Sequence, residues 1–211
     1  KQGLFLGAGP DQCGELVYSD LDIAPVPAAR VAPQLRCLQP ADSAALLRPR
    51  TRGAHKGRFG HVLVVGGNHG FGGAALLSAT AALRSGAGLV SVATRPEHTA
   101  AALAARPELM VRGVSGAGEF ADMLERATVI AVGPGLGQDD WAGQLLVAAL
   151  ESGRPLVVDA DALNALARQP QCRDDWVLTP HPGEAARMLG TCSATVQHDR
   201  LAALRELTER F

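Results

Sequence analysis

His61-Val62-Leu63-Val64-Val65-Gly66-Gly67-Asn68-His69-Gly70-Phe71-Gly72-Gly73-Ala74 runs from an apolar stretch through a glycine-rich loop into a helix-patterned segment over residues 74–84. The apolar stretch does not alternate with polar residues. A strand of that kind is covered on both faces, which is the habit of parallel sheets lying between helices. The same order recurs along the chain. Strands are expected at His61–Val65, 89–93, 109–114, Val129–Val132, Leu156–Val158 and 177–178. Between and after them helices are expected at 74–84, 97–105, 119–126, 142–151, 162–167 and 184–189. Strict alternation of the two predicts a doubly wound α/β fold with a mainly parallel sheet.

Composition narrows the function. The chain has 211 residues, 47% hydrophobic, with 20 basic and 21 acidic side chains and a formal net charge of −1. No overall basic field exists for a nucleic-acid partner, and the apolar content is too high for disorder. No apolar run reaches the roughly 18 residues of a membrane helix. Aromatic residues make up only 4%, so the core has to be built from Ala, Val and Leu. Cys13, Cys37, Cys172 and Cys192 form no C-x-x-C pair and have irregular spacing, and are expected to be reduced packing residues of a cytoplasmic protein.

The ends read differently from the middle. Residues 3–6 and 15–18 are expected as short extended pieces around the turn Gly7-Ala8-Gly9-Pro10-Asp11, and Pro25-Val26-Pro27 as a domain boundary. A strand is expected at 31–38, then a short helix opening at Pro40 with Asp42 or Ser43 as N-cap. The start lacks an apolar signal segment and an initiator Met, and Phe211 falls in a helix-patterned stretch, so an excerpt of a longer protein is expected.

In parallel sheets ligands gather at the carboxyl ends of the strands, so four loops matter most. The first, Gly66 to Gly73, offers backbone N–H groups and a helix N-terminus to an anion. Gly73-Ala74 stands where a Walker loop needs Lys and Ser or Thr. Gly70 to Ala75 fits G-x-G-x-x-A, but four residues separate Val65 from Gly70, and Thr94-Arg95 follows the next strand where a dinucleotide fold has an acid. The second loop, Gly133-Pro134-Gly135-Leu136-Gly137, again exposes backbone donors, and Asp139 or Asp140 could cap the helix behind it. In the third, Asp159 and Asp161 could hold Mg²⁺ or a ribose hydroxyl, or serve as cap and ion-pair partner. In the fourth, Thr179-Pro180-His181-Pro182-Gly183-Glu184, two prolines stiffen His181 beside a helix N-terminus, which favours a neutral ring able to hydrogen-bond a ligand. Upstream, Arg48, Arg50, Arg52, Lys56 and Arg58 form a run of cations that is either a solvated loop or an attractor for polyphosphate.

Taken in order, His55-Lys56-Gly57-x-x-Gly60, Val64-Val65-Gly66-Gly67, Gly73-Ala74-Ala75, Ala87-Gly88-Leu89-Val90, Gly133 to Gly137, Asp159 to Asn164 and Thr179 to Glu184 resemble the dehydratase domain of bacterial bifunctional NAD(P)H-hydrate repair enzymes. The resemblance covers about Val31 to Phe211. Residues 1–28 resemble the last part of the epimerase domain that precedes it, leaving 29–211 as the N-terminal and central part of the dehydratase domain.

The resemblance implies a three-layer α/β/α ribokinase-like sandwich, C-terminally incomplete. It implies ADP-dependent dehydration of (S)-NADHX and (S)-NADPHX, with ADP as phosphoryl donor, Mg²⁺ on the phosphates, and AMP and phosphate released. It places the hydrate against Ala74, Gly137, Gly135 and His181, with Asn68 and Asp161 as further contacts. It assigns no catalytic residue and no metal ligand to this chain. The family's Leu-Lys-Gly and Gly-Gly-x-Gly-Asp segments, which hold the nucleotide and the catalytic Asp, do not occur here, so these residues alone are expected to turn over no hydrate. The expected partners are a small-molecule substrate and a nucleotide, without nucleic acid or membrane, in a homo-oligomer. Two other classes stay open: a ribokinase-like kinase of small molecules, and a non-catalytic dinucleotide-binding module.

Overall fold

The apolar runs become strands, all pairing in one direction. In a computed structural model that describes residues 2–24, 35–44 and 49–211, β1 (His61–Val65), β2 (Leu89–Thr94), β3 (Met110–Gly113), β4 (Val129–Val132), β5 (Leu156–Val158) and β6 (Trp176–Leu178) form one sheet. Its order is β3-β2-β1-β4-β5-β6, with every pair parallel. Val65 lies opposite Ala93 and Val132, Val132 opposite Val158, and Val158 opposite Leu178. The carboxyl ends of five strands therefore open on one rim. The order reverses between β1 and β4, and such a switch point leaves a crevice above the sheet.

The helices are α1 (Gly9–Gln12), α2 (Pro40–Ala44), α3 (Gly72–Arg84), α4 (Thr99–Ala105), α5 (Ala121–Arg126), α6 (Asp140–Glu151), α7 (Asp161–Arg168), α8 (Pro182–Leu189), α9 (Ser193–His198) and α10 (Arg200–Arg210). Adjacent residues of a strand point to opposite faces, and the core splits accordingly. Val64, Val90 and Val92 pack with Ala75 and Ala79 of α3 on one face. Leu63, Val65, Ile130, Val132, Leu156 and Val158 pack on the other with residues of α5 to α8, among them Met123, Leu145, Leu163 and Met188. This is the expected sandwich of sheet between helical layers. The edges depart from the continuous-burial rule: Met110 of β3 and Val177 of β6 are exposed, because an edge strand has a neighbour on one side only.

The chain divides into two units, Lys1–Arg52 and Gly53–Phe211, and the sheet belongs to the second. In the first, the expected extended pieces are absent. Gln2–Leu4 is a 3-10 turn, α1 replaces the turn at Gly9, and residues 15–18 form no strand. Pro10 at the head of α1 and Asp11 in its first turn are helix-opening residues, and here they prevail over the glycines. Pro25-Val26-Pro27 and residues 31–34 lie outside the described residues, and residues 35–38 adopt no regular structure. Helix α2 forms as expected, but Asp42 lies inside it instead of capping it. Its carboxylate accepts the backbone N–H of Gln39 at 2.7 Å and pairs with Arg36 at 2.7 Å, which is the inner half of a capping box. All four cysteines are free, yet Cys37, Cys172 and Cys192 are exposed and Cys13 half-buried, so they do not pack the core. Among the described residues no helix is long and apolar enough to cross a membrane.

Candidate substrate site

The glycine loops after β1 and β4 meet at the switch point. Gly67 N–H donates to Pro134 O at 3.0 Å, and Asn68 N–H to Gly135 O at 2.7 Å. Close approach requires glycine at two positions. Gly135 has φ +60, and a Cβ there would stand 2.8 Å from both Cβ and O of Phe71 and 3.1 Å from Cβ of Ala74. Gly137 has φ +78, and its Cβ would stand 2.5 Å from Asn68 Nδ2. A side chain at either position would have to occupy the space where the loops touch.

Asn68 is 7% exposed and fully engaged. Its Nδ2 donates to Leu136 O at 2.9 Å and to Asp139 Oδ1 at 3.0 Å. Its Oδ1 accepts from His69 N at 2.8 Å and from Arg95 Nε at 2.9 Å. An amide offers two donors and two acceptor lone pairs, so the side chain holds the mouth together and has nothing left for a ligand. Arg95, at the end of β2, donates a second bond to Asp139 Oδ2 at 2.8 Å. Its guanidinium lies 4.3 Å from the ring centroid of Trp141, within cation–π range. Trp141 in turn donates Nε1–H to Val114 O at 2.9 Å. Asn68, Arg95, Asp139 and Trp141 thus brace the ends of β1, β2 and β4.

Asp139 also caps α6, accepting Ala142 N–H at 3.0 Å, as one sequence alternative has it. Partial burial pushes its carboxyl pKa up. The Ala142 N–H, the Asn68 amide and the Arg95 guanidinium together outweigh that push, and the pKa lies below the ordinary value. A folded-state pKa below the unfolded one means that the native state binds fewer protons. Its contribution to stability is present above about pH 4 and lost as pH falls through the folded pKa. Urea melts over the acid range should show this fall, and Asp139→Asn should flatten it.

Ala74 is the third residue of α3, whose N-terminus has no side-chain cap. Ala74 N–H bonds Phe71 O at 3.1 Å, and the first-turn N–H groups of Gly72 and Gly73 have no acceptor inside the helix. Phe71, 61% exposed, stands beside them as an apolar wall. On the rim, His69 Nδ1 pairs with Glu97 Oε1.

Asp161, the first residue of α7, joins them, its Oδ2 accepting Gly137 N–H at 2.9 Å. Asp159 accepts Thr179 Oγ1–H at 2.8 Å. Neither is the side-chain cap of α7, whose N-cap is Ala160. Ala160 has φ 50 and ψ −118, a conformation costly for a residue with a Cβ. Ala160→Gly should therefore raise the melting temperature by about 2 °C, from relief of roughly 0.5–1 kcal/mol of strain after the glycine entropy cost. An unchanged or lower midpoint would show that the turn carries no strain.

His181 caps α8. Its Nδ1 accepts Gly183 N–H at 3.0 Å, while Glu184 Oε2 accepts His181 N–H at 2.9 Å. The accepting Nδ1 carries no proton, so the hydrogen of a neutral ring sits on Nε2, 3.3 Å from Glu184 Oε1. Asn68, Ala74, Gly135, Gly137 and Asp161 form one contact-linked group. His181 stands apart from it on the same rim, at the end of β6. With neighbouring strands about 4.8 Å apart, β1 to β6 spans roughly 14 Å. Of the upstream cations, Arg48 lies outside the described residues, and Lys56 and Arg58 are exposed.

Sequence reading missed Phe71, Arg95 and Trp141. An exposed aromatic beside a glycine loop was the available signal for Phe71. Arg95 had none, since its partner Asp139 is 44 residues away.

Comparison with known proteins gives the family. A family profile described as NAD(P)H-hydrate dehydratase matches residues 62–211. The chain is 48% identical over 211 residues to the bifunctional NAD(P)H-hydrate repair enzyme Nnr of Coxiella burnetii, covering 100% of this chain and 43% of that protein. The chain thus spans less than half the length of that relative. It is similar to a ribokinase-like superfamily protein of Enterococcus faecalis V583, with a TM-score of 0.66 and 31% identity over 74% of this chain and 58% of the other. It is also similar to the ADP/ATP-dependent NAD(P)H-hydrate dehydratase of Bacillus subtilis co-crystallized with ATP/Mg²⁺, with a TM-score of 0.64 and 33% identity over 73% and 56%. The fold is ribokinase-like α/β, and the chain belongs to the NAD(P)H-hydrate dehydratase family.

Proposed function

We propose that this chain grips the hydrated nicotinamide in the ADP-dependent dehydration of (S)-NADHX and (S)-NADPHX to NADH and NADPH, with AMP and phosphate as the other products. The reading rests on one observation above all: the β1 and β4 glycine loops close on each other at the switch point, with Gly135 packed against Phe71 and Ala74. Hydroxide is a poor leaving group near neutral pH. Transfer of the terminal ADP phosphoryl to the hydrate's hydroxyl makes it a phosphate ester, and elimination of phosphate restores the ring double bond. Such chemistry asks a protein mainly for positioning and charge neutralisation.

In this reading Ala74, Gly135 and Gly137 supply a close-fitting backbone surface, and Phe71 covers one face of the ring. The N–H groups at the head of α3 donate to the carboxamide oxygen or to a phosphate oxygen. His181, its ring nitrogens turned to Gly183 and Glu184, lines the rim farther along as an exposed ring edge. Asn68 and Asp161 act by holding the loops, since both are committed to protein partners. Mg²⁺ would arrive on the nucleotide's phosphates, oxygen ligands of the kind it prefers. Residues 1–28 are the end of an epimerase domain.

Calorimetry with NADHX and NADH on the purified 211-residue chain, followed by an ADP-dependent turnover assay, tests the proposal. The hydrate should bind more tightly than intact NADH, with no turnover. Equal affinity for both would point to a cofactor-binding module, and turnover by these residues alone would place the catalytic group among them.

A further inference from the structure

Two cations face one hollow beside the mouth. Arg168 closes α7 and Arg187 lies in the last turn of α8. With Gln138, Asn164 and Ala167 they line a hollow of about 520 Å³. Arg168 Nη1 donates to Gln138 Oε1 at 3.0 Å, and Arg187 Nε to Asn164 Oδ1 at 2.7 Å. Amide oxygens orient a guanidinium without cancelling its charge. Among the described residues no carboxylate pairs with either arginine. Glu184, one turn before Arg187, is committed to His181. Two like charges aimed at one space repel each other, and the missing partner is an anion.

The hollow continues the substrate site. Gln138 directly follows Gly137, and Asp161, which holds the Gly137 N–H, lies on the same face of α7 as Asn164 and Arg168, at spacings of three and seven. At 1.5 Å per residue the line from Asp161 to Arg168 is about 10 Å long. That reach suits a ligand whose ring sits at the mouth and whose phosphates trail away from it. A planar guanidinium matches two phosphate oxygens at once.

We propose that this hollow binds a phosphate of the dinucleotide substrate, with Arg168 and Arg187 as its clamp. The proposal rests on the dehydratase reading above for the identity of the ligand, and on the geometry alone for its chemistry. The phosphate is either the diphosphate bridge, common to NADHX and NADPHX, or the ribose 2′-phosphate of NADPHX.

Calorimetry with inorganic diphosphate, NADHX and NADPHX tests it on the unaltered protein, the single variants R168Q and R187Q, the double variant, and the charge-keeping pair R168K/R187K. Each Arg→Gln change should weaken diphosphate and hydrate binding by about tenfold, as loss of a charge-assisted hydrogen bond does, with lysine restoring part of it and the melting temperature unmoved. A larger loss for NADPHX than for NADHX assigns the clamp to the 2′-phosphate, and equal losses assign it to the diphosphate bridge. Unchanged affinity for all three probes in the double variant overturns the clamp. Arginine-dependent diphosphate binding without hydrate binding upholds the clamp and overturns the dehydratase reading. Hydrate binding indifferent to both arginines does the reverse.

Discussion

Gly133→Ala should cost about 3–5 kcal/mol of stability, at the upper end of single-substitution effects. Gly133 directly follows β4 with φ +121, and a Cβ built there would lie 1.8 Å from the Asp159 carbonyl oxygen and 3.0 Å from Ala162 Cβ. The obstacle is backbone, which no rotamer change can move. Both partners are also fixed by the sheet: Gly133 N–H donates to Val65 O at 3.1 Å, and Asp159 N–H to Val132 O at 3.0 Å. Relief would require β4 and β5 to part just below the mouth. A urea melt of the variant beside the parent measures the loss, and a difference under 1 kcal/mol would contradict the close approach.

The second large effect is expected at the brace. Asn68→Leu keeps the branched shape and heavy-atom count of the side chain and removes all four hydrogen bonds of the amide. Leu136 O, the His69 N–H, Arg95 Nε and Asp139 Oδ1 then lose a partner in a buried or half-buried setting. At roughly 0.5–1.5 kcal/mol per bond, more where a charged group is involved, the sum is about 3 kcal/mol. Hydrate affinity should fall with it, because Gly135 and Gly137 are placed through Asn68. Asn68→Asp is the informative companion: it keeps the acceptor for Arg95 but sets a second carboxylate against Asp139, so it should lose stability as well. A Leu variant with parental stability and affinity would show that the loops stand without the brace.

How far these features could be read in advance depended on their range in sequence. The six strands were legible because their apolar runs are local signals, and the alternation with helices left one sensible architecture. Helix ends were less so: α6 starts at Asp140 and α8 at Pro182, each two residues earlier than the apolar pattern implied, because polar residues and proline carry the first turn. At the N-terminus the glycines of Gly7-Ala8-Gly9 suggested a turn, while Pro10 and Asp11 carried the helix signal. The site was legible as a set of glycine turns at strand ends. The brace behind it was not. Arg95 reads as a plain loop cation until β2 lies beside β1 and Asn68 and Asp139 come within 3 Å of its guanidinium. The role of Asn68 shifts for the same reason: its amide is exhausted by partners that folding supplies.

The central claim is that the crevice between β1 and β4 receives the hydrated nicotinamide ring. A crystal structure with NADHX soaked in tests it most directly. The ring should lie against Phe71, Ala74, Gly135 and Gly137. Density for the ring at any other place on the sheet, with that crevice filled by solvent, would contradict it.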